Sequence, residues 1–232
     1  MSERINIAID GPSGVGKSTA AKALAERLGI CCLDTGAMYR AYALAMLRRG
    51  VSLDDARAIA AEVGAAAISV VINGTTQRVY IDDDDVSDAI RTPQVSEGSS
   101  KVAVVSEVRA YMQRIQREIA AHNDVILDGR DIGVKVLPNA RPKFFLTASA
   151  EVRAKRRYNE MPASERPPFA ELLTAIAERD RRDAEREADP LRPAADAVII
   201  DTSDMGLGEM IGVMYNEIIK TIKTIKTREV QP

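Results

Sequence analysis

Short apolar runs alternate along the chain with longer stretches in which apolar residues recur every three or four positions. The runs Ile5–Ile9, Cys31–Leu33, Val125–Leu127, Phe144–Leu146 and Val198–Ile200 are too short for helices and read as buried strands. The stretches Lys17–Leu28, Ala37–Arg48, Val104–Ala121, Ala150–Tyr158, Phe169–Arg186 and Gly206–Lys223 carry the helical period. Strands alternating with helices predict an α/β fold, a parallel sheet covered by helices. Three segments break the rhythm. Ile68–Ile72 and Arg78–Ile81 flank Asn73-Gly74, which predicts an inserted antiparallel β lobe at about residues 66–91. Glu160–Pro168 holds Pro162, Pro167 and Pro168 between two helices and reads as a flap. Ile219–Thr227 repeats Ile-Lys-Thr three times. A period of three drifts around a helix, so a fraying, solvated helix end is expected there.

Composition narrows the function classes. The 232 residues suit one domain with small inserted lobes. A formal net charge of −2 supplies no global field for nucleic acid or membrane, and neither is expected as a partner. Cys31 and Cys32 are adjacent, so a mutual disulfide would be strained, and His122 is the only histidine. That inventory excludes a zinc site and a histidine-based triad. No apolar run approaches the ~18 residues that span a bilayer. The first strand begins within a few residues of Met1, which leaves no room for a signal peptide. A monomeric, cytoplasmic protein is expected.

The chemistry starts at Gly11-Pro12-Ser13-Gly14-Val15-Gly16-Lys17-Ser18, which fills every slot of a phosphate-binding loop between a strand and a helix. Glycines let the backbone curl with its N–H groups turned inward, and the helix start aims its free N–H groups at the same anion. Lys17 supplies a point charge to the β/γ-phosphates, and the Ser18 hydroxyl is placed to ligate Mg²⁺. Thr19 follows in the first helical turn and belongs to the same ATP site. Asp128-Gly129-Arg130-Asp131 follows a strand directly, so it opens into the crevice where ligands of parallel sheets bind. Asp128 is placed to act on the Mg²⁺ shell, through water or directly. At another strand end stands Asp34-Thr35-Gly36-Ala37-Met38-Tyr39-Arg40, where Thr35 is expected to cap the next helix. Arg153, Arg156 and Arg157 precede the flap, while Arg179, Asp183 and Arg186 share one helix face. Phosphoryl transfer needs cations around the moving group and little else. Asp82–Asp85 lacks the spacing and glycine of a calcium loop and reads as an exposed turn.

Taken in order, G-P-S-G-V-G-K-S, D-T-G-A-M-Y-R, D-V-S-x-x-I-R-T at Asp85–Thr92, D-G-R-D and E-R-D-x-R-D at Glu178–Asp183 resemble the bacterial cytidylate kinases, a branch of the nucleoside monophosphate kinases. The resemblance spans nearly the whole chain. It implies a P-loop NTPase-type sheet, with a core at about 1–36, 105–150 and 169–232, a substrate-binding lobe at about 37–104 and a short lid at about 151–168. It implies ATP-dependent phosphorylation of CMP and dCMP, with Mg²⁺. Ser100, Arg109 and Asp131 would read cytosine, a base whose amino donor suits a carboxylate. Thr35, Arg179 and Asp183 would hold the ribose, and Arg40, Arg130 and Arg186 the acceptor phosphate. Lys17, Asp128, Arg130 and Arg157 would carry the catalytic step. Of the arginines before the flap, Arg157 is the first choice for ATP and Arg153 the second. A related small-molecule kinase acting on a shikimate-like alcohol would share the P-loop but would not need a carboxylate–arginine pair for a base.

Overall fold

Side chains that alternate between two apolar layers make the central strands. The computed structural model describes residues 4–229. Its strands are β1 (Asn6–Asp10), β2 (Cys31–Asp34), β3 (Ile68–Asn73), β4 (Thr76–Ile81), β5 (Asp84–Asp85), β6 (Val125–Asp128), β7 (Lys143–Thr147) and β8 (Val198–Asp201). Five of them form a parallel sheet in the order β2-β6-β1-β7-β8. Ile7, Ile9, Cys32 and Ile126 enter one apolar layer, while Ala8, Cys31, Leu33, Val125 and Leu127 enter the other. Burial on both faces is why these strands read as continuous apolar runs. It also turns the two cysteines to opposite faces, where both are free and buried.

Helices α1 (Lys17–Leu28) and α8 (Leu207–Glu229) close the first layer through Ala20, Leu24, Met210, Met214 and Ile218. Across the sheet, α2 (Thr35–Arg48) and α5 (Ser106–His122) close the second, joined by α3 (Ala56–Ala61), α4 (Pro93–Val102) and the β3-β4-β5 sheet. Helices α6 (Ala150–Glu160) and α7 (Phe169–Glu185) pack on each other through Ala154, Leu172 and Ile176. The hairpin is anchored to the core sheet. Cys32 N donates to Thr75 O at 3.3 Å, and the Gln77 amide both accepts from Asp34 N and donates to Asp34 O. The otherwise open edge of β2 is thereby covered.

Several expectations are corrected. The two-residue loop of the hairpin is Gly74-Thr75, because Asn73 pairs with Thr76; Gly74 takes the φ of 63° that the turn needs. The aspartate run is an exposed turn only at Asp82 and Asp83, since Asp84 and Asp85 pair back on β4. β8 is no buried strand but the sheet edge, with Ile199 61% exposed and only Ile200 inside. The sequence reading missed α3 and α4, and α5 begins at Ser106 because Val104 and Val105 belong to the turn after α4. α8 runs on to Glu229, past the expected end at Lys223, with Ile218 buried and Ile222 packed on the same layer. The flap region contains one 3-10 turn, Ala163–Glu165.

Candidate active site

β1 delivers the phosphate loop. Gly11 has a φ of 143°, and a Cβ there would drive into the Leu146 carbonyl oxygen, so the chain can leave the sheet at this point only as glycine. Gly16, with a φ of 93°, caps the start of α1, and Lys17 opens the helix with its Nζ donating to Pro12 O at 2.7 Å. The loop is braced from behind. Arg153 donates to Ser13 O at 3.1 Å and pairs with Asp180 at 2.5 Å, and Thr202 Oγ1 donates to Val15 O at 3.3 Å. A cleft of about 590 Å³ lies in front, lined by Ser13–Thr19, by the ends of β2 and β6, and by one side of α7. Gly11 and Pro12 form the base of the loop behind that surface, and Arg153, only 4% exposed, stays behind it too. Arg157, one helical turn on, lines the cleft.

Three carboxylates end three neighbouring strands: Asp10 on β1, Asp34 on β2 and Asp128 on β6. Asp128 is buried and accepts from the Ser18 hydroxyl. Burial pushes its carboxyl up, against the pull of Lys17. The pair sets two hard oxygen donors side by side at the helix start, the donor chemistry that small divalent cations take. Among the described residues no cluster of three or more His, Cys, Asp or Glu is placed to hold a metal by itself. Thr35 does not cap α2 as expected. Asp34 does so, accepting from Ala37 N at 3.0 Å, while the Thr35 hydroxyl donates to Asp128 O at 2.7 Å. Asp34 also holds Arg40, at 2.8 Å.

The cations fall into two groups. Arg130 pairs with Asp183 at 2.9 Å, and against the upward push of burial Arg130 and Arg179 hold the Asp183 carboxyl below its ordinary range. Arg179 feels Arg130, Arg157 and Arg40; burial and these like charges push it down to about 10. Its buried Nε has no hydrogen-bond partner among the described residues. Together with Lys17, pushed down to about 7 by burial and by Arg130, this group is an excess of positive charge facing the cleft. Such a site favours a polyanion. The second group surrounds Asp131, which accepts from Arg109 at 2.5 Å and from Arg186 at 3.3 Å. The Arg109 guanidinium also stands 5.9 Å from the Tyr39 ring centroid. Ser100 lies alongside, its hydroxyl turned back to Glu97 O at 3.0 Å.

Every residue expected to touch CMP therefore lines the same cleft as the phosphate loop. Their grouping differs from the one the resemblance implies: Arg179 sits with the phosphate-side arginines and Arg186 with Asp131. Sequence reasoning missed two carboxylates. Asp10 accepts from the backbone N–H groups of Ile132 and Gly133, both at 2.8 Å, tying the strand before the phosphate loop to the turn after Asp131. Burial pushes its carboxyl up to about 7. Asp189 grips Arg109 through Nε, at 3.2 Å, while Asp131 takes a terminal nitrogen. The first had a visible signal, an acid ending an apolar strand directly before the loop. The second had only the Asp189-Pro190 turn dipeptide.

Comparison with known proteins agrees with this geometry. A sequence profile described as cytidylate kinase matches residues 7–223. The chain is 43% identical over 222 residues to a cytidylate kinase of Caldicellulosiruptor bescii, covering 95% of this chain and 98% of that one. It is 46% identical over 212 residues to a cytidylate kinase of Desulforamulus reducens, covering 91% and 95%. Among solved structures, a gluconokinase from Sinorhizobium meliloti shares the fold, with a TM-score of 0.50 at 16% identity over 97% of this chain and 99% of that one. With a P-loop at the end of β1, a carboxylate–arginine cluster across the cleft and relatives matched over nearly their full length, the chain belongs to the cytidylate kinase family.

Proposed function

We propose that the protein transfers the γ-phosphoryl group of ATP to the phosphate of CMP or dCMP, giving ADP and CDP or dCDP. The observation that carries this reading is Asp131, held between Arg109 and Arg186 in the cleft that the phosphate loop also lines. ATP lies on Gly11–Thr19 with its phosphates against the start of α1. CMP lies across the cleft, beneath the lobe at about 37–104, and the lid at about 151–168 closes over both. Ser18 and Asp128 are the residues that would hold Mg²⁺, which when bound would draw charge from the phosphates. An oxygen of the CMP phosphate attacks the γ-phosphorus in line, the bond to the β–γ bridging oxygen breaks, and ADP leaves. Lys17, Arg130, Arg157 and Arg179 neutralise the charge that moves, and Asp183 accepts from a ribose hydroxyl. Arg40 orients the acceptor phosphate from the start of α2. Closure of the lid excludes water and so suppresses ATP hydrolysis.

The test compares two neighbouring aspartates. Cytosine presents an amino donor to Asp131, whereas uracil presents an acceptor at the same place, leaving both groups unpaired. A buried mismatch of that kind costs on the order of several kcal/mol. Asp131→Ala should lower kcat/KM for CMP far more than for UMP, narrowing the ratio between them. Asp128→Ala should depress both acceptors alike, because a residue at the metal position does not touch the base. An unchanged CMP/UMP ratio in Asp131→Ala would contradict the assignment of the base site.

A further inference from the structure

Asp189 occupies a conformation that side chains seldom adopt: its φ is 51°, in the left-handed region. Strain of this kind persists where the surroundings over-determine it, and here the surroundings are the base-side cluster. After α7 the chain turns back on itself. Arg186 Nε donates to Asp189 O at 2.7 Å, and Leu191 N donates to Asp183 O at 2.8 Å. The turn carries the Asp189 carboxylate to Arg109 Nε at 3.2 Å and to Gln113 Nε2 at 2.7 Å, with Lys135 at 3.5 Å. Although burial pushes its carboxyl up, the hydrogen bonds from Gln113 and Arg109 hold it below the ordinary range.

Resting on the CMP reading above, we propose that Asp189 is a positioning residue for base recognition, acting through Arg109 and Gln113 on Asp131. Two consequences follow from the geometry. Arg109 is fixed on three sides: Nε on Asp189, one terminal nitrogen on Ala103 O at 3.3 Å and the other on Asp131 at 2.5 Å. Of its five N–H groups, two remain to meet a ligand, and their direction is set before the ligand arrives. Gln113 lies 2.7 Å from Asp189 but 3.4 Å from Asp131. Asp189 thereby draws the Gln113 amide away from the carboxylate oxygens that the cytosine amino group needs. Without it, the Gln113 amide would close on Asp131 and compete with the base, and Arg109 would lose the contact that fixes its Nε.

The experiment uses glycine to separate the carboxylate from the turn. Glycine accepts a positive φ without strain, so Asp189→Gly removes only the side chain, and Asp189→Asn keeps an acceptor oxygen and a tolerance for this φ. CMP binding is measured calorimetrically on the full chain without ATP, beside KM for ATP and the thermal midpoint. Asp189→Gly should bind CMP about ten-fold more weakly, the scale of a lost hydrogen bond to a charged group. KM for ATP should stay within about two-fold, and the midpoint should hold or rise because the strain is gone. Asp189→Asn should fall between glycine and wild type. Wild-type affinity for CMP in Asp189→Gly would overturn the proposal, as would equal losses for both nucleotides with a lowered midpoint, the signature of a structural strut. A wild-type protein that fails to bind CMP would overturn the base reading itself, a result distinct from either.

Discussion

Lys17 shows how one buried side chain links the fold to the chemistry. Its ammonium sits at the start of α1 with Arg130 near and, among the described residues, Pro12 O as its hydrogen-bond acceptor. Removing it should leave the fold intact and lower kcat by roughly 10²-fold or more, because the lost charge acts where charge builds on the β/γ oxygens. Near-normal turnover by a folded Lys17→Ala protein would contradict the assignment of the loop. Protonation gives an independent check. Burial and the Arg130 charge push the group down to about 7 in the free folded protein, below the value of about 10.4 for an unfolded chain. Between those values the unfolded chain binds more protons, so this group makes stability rise with pH over that window. Phosphates restore the charge, so ATP binding should take up a proton within the same window. Calorimetry at about pH 8, in buffers of different ionisation enthalpy, should register a net proton uptake that is lost in Lys17→Ala. No uptake by the wild type would show that Lys17 is already charged before ATP arrives.

At the scale of elements, legibility followed the origin of each element's stability. Strands buried on both faces and helices with a strong apolar period were visible in sequence, as was the P-loop, whose residues act within one local turn. α4 was not. Its sequence from Pro93 to Val102 carries Gly98 and three serines, poor helix formers, and it is held by packing rather than propensity. A Cβ at Gly98 would stand 2.6 Å from Leu53 and 3.3 Å from Ala43, so the glycine permits the close approach of α4 to α2 that holds the helix. The Thr92-Pro93 start was nevertheless a readable cap. Asp10 and Asp189 escaped for a different reason: a local signal marks each, but their partners lie 122 and 80 residues away, so no local pattern says what either side chain holds. Most cleft residues were readable because they stand at a strand end or in an arginine-rich run; Ser100 and Arg109, inside α4 and α5, were reached only through the family resemblance. The segment Glu160–Pro168, exposed but for Met161 and Pro167, has one short 3-10 turn to protect its backbone. If it is the flap, its amides should exchange faster than those of α6 and α7 and should become protected when ATP and CMP are both bound. Equal exchange with and without nucleotides would mark it as fixed structure.

Across the whole molecule, the fold is shared with a gluconokinase, and a fold does not by itself fix what it acts on. The acceptor is met by the far wall of the cleft in the proposed reading. Here that wall carries Asp131 between two arginines, with Asp189 and Gln113 behind them, an arrangement that an alcohol acceptor would leave unmatched. None of the helices among the described residues is long and apolar enough to cross a membrane. The most direct measurement is therefore the rate of ADP release by the full chain, with CMP, dCMP, UMP, AMP and shikimate as separate acceptors and with none. The account predicts fast release with CMP or dCMP, matched mole for mole by CDP or dCDP, with UMP more than tenfold slower and little release without an acceptor. Release that is as fast with UMP, AMP or shikimate, or that needs no acceptor at all, would contradict it.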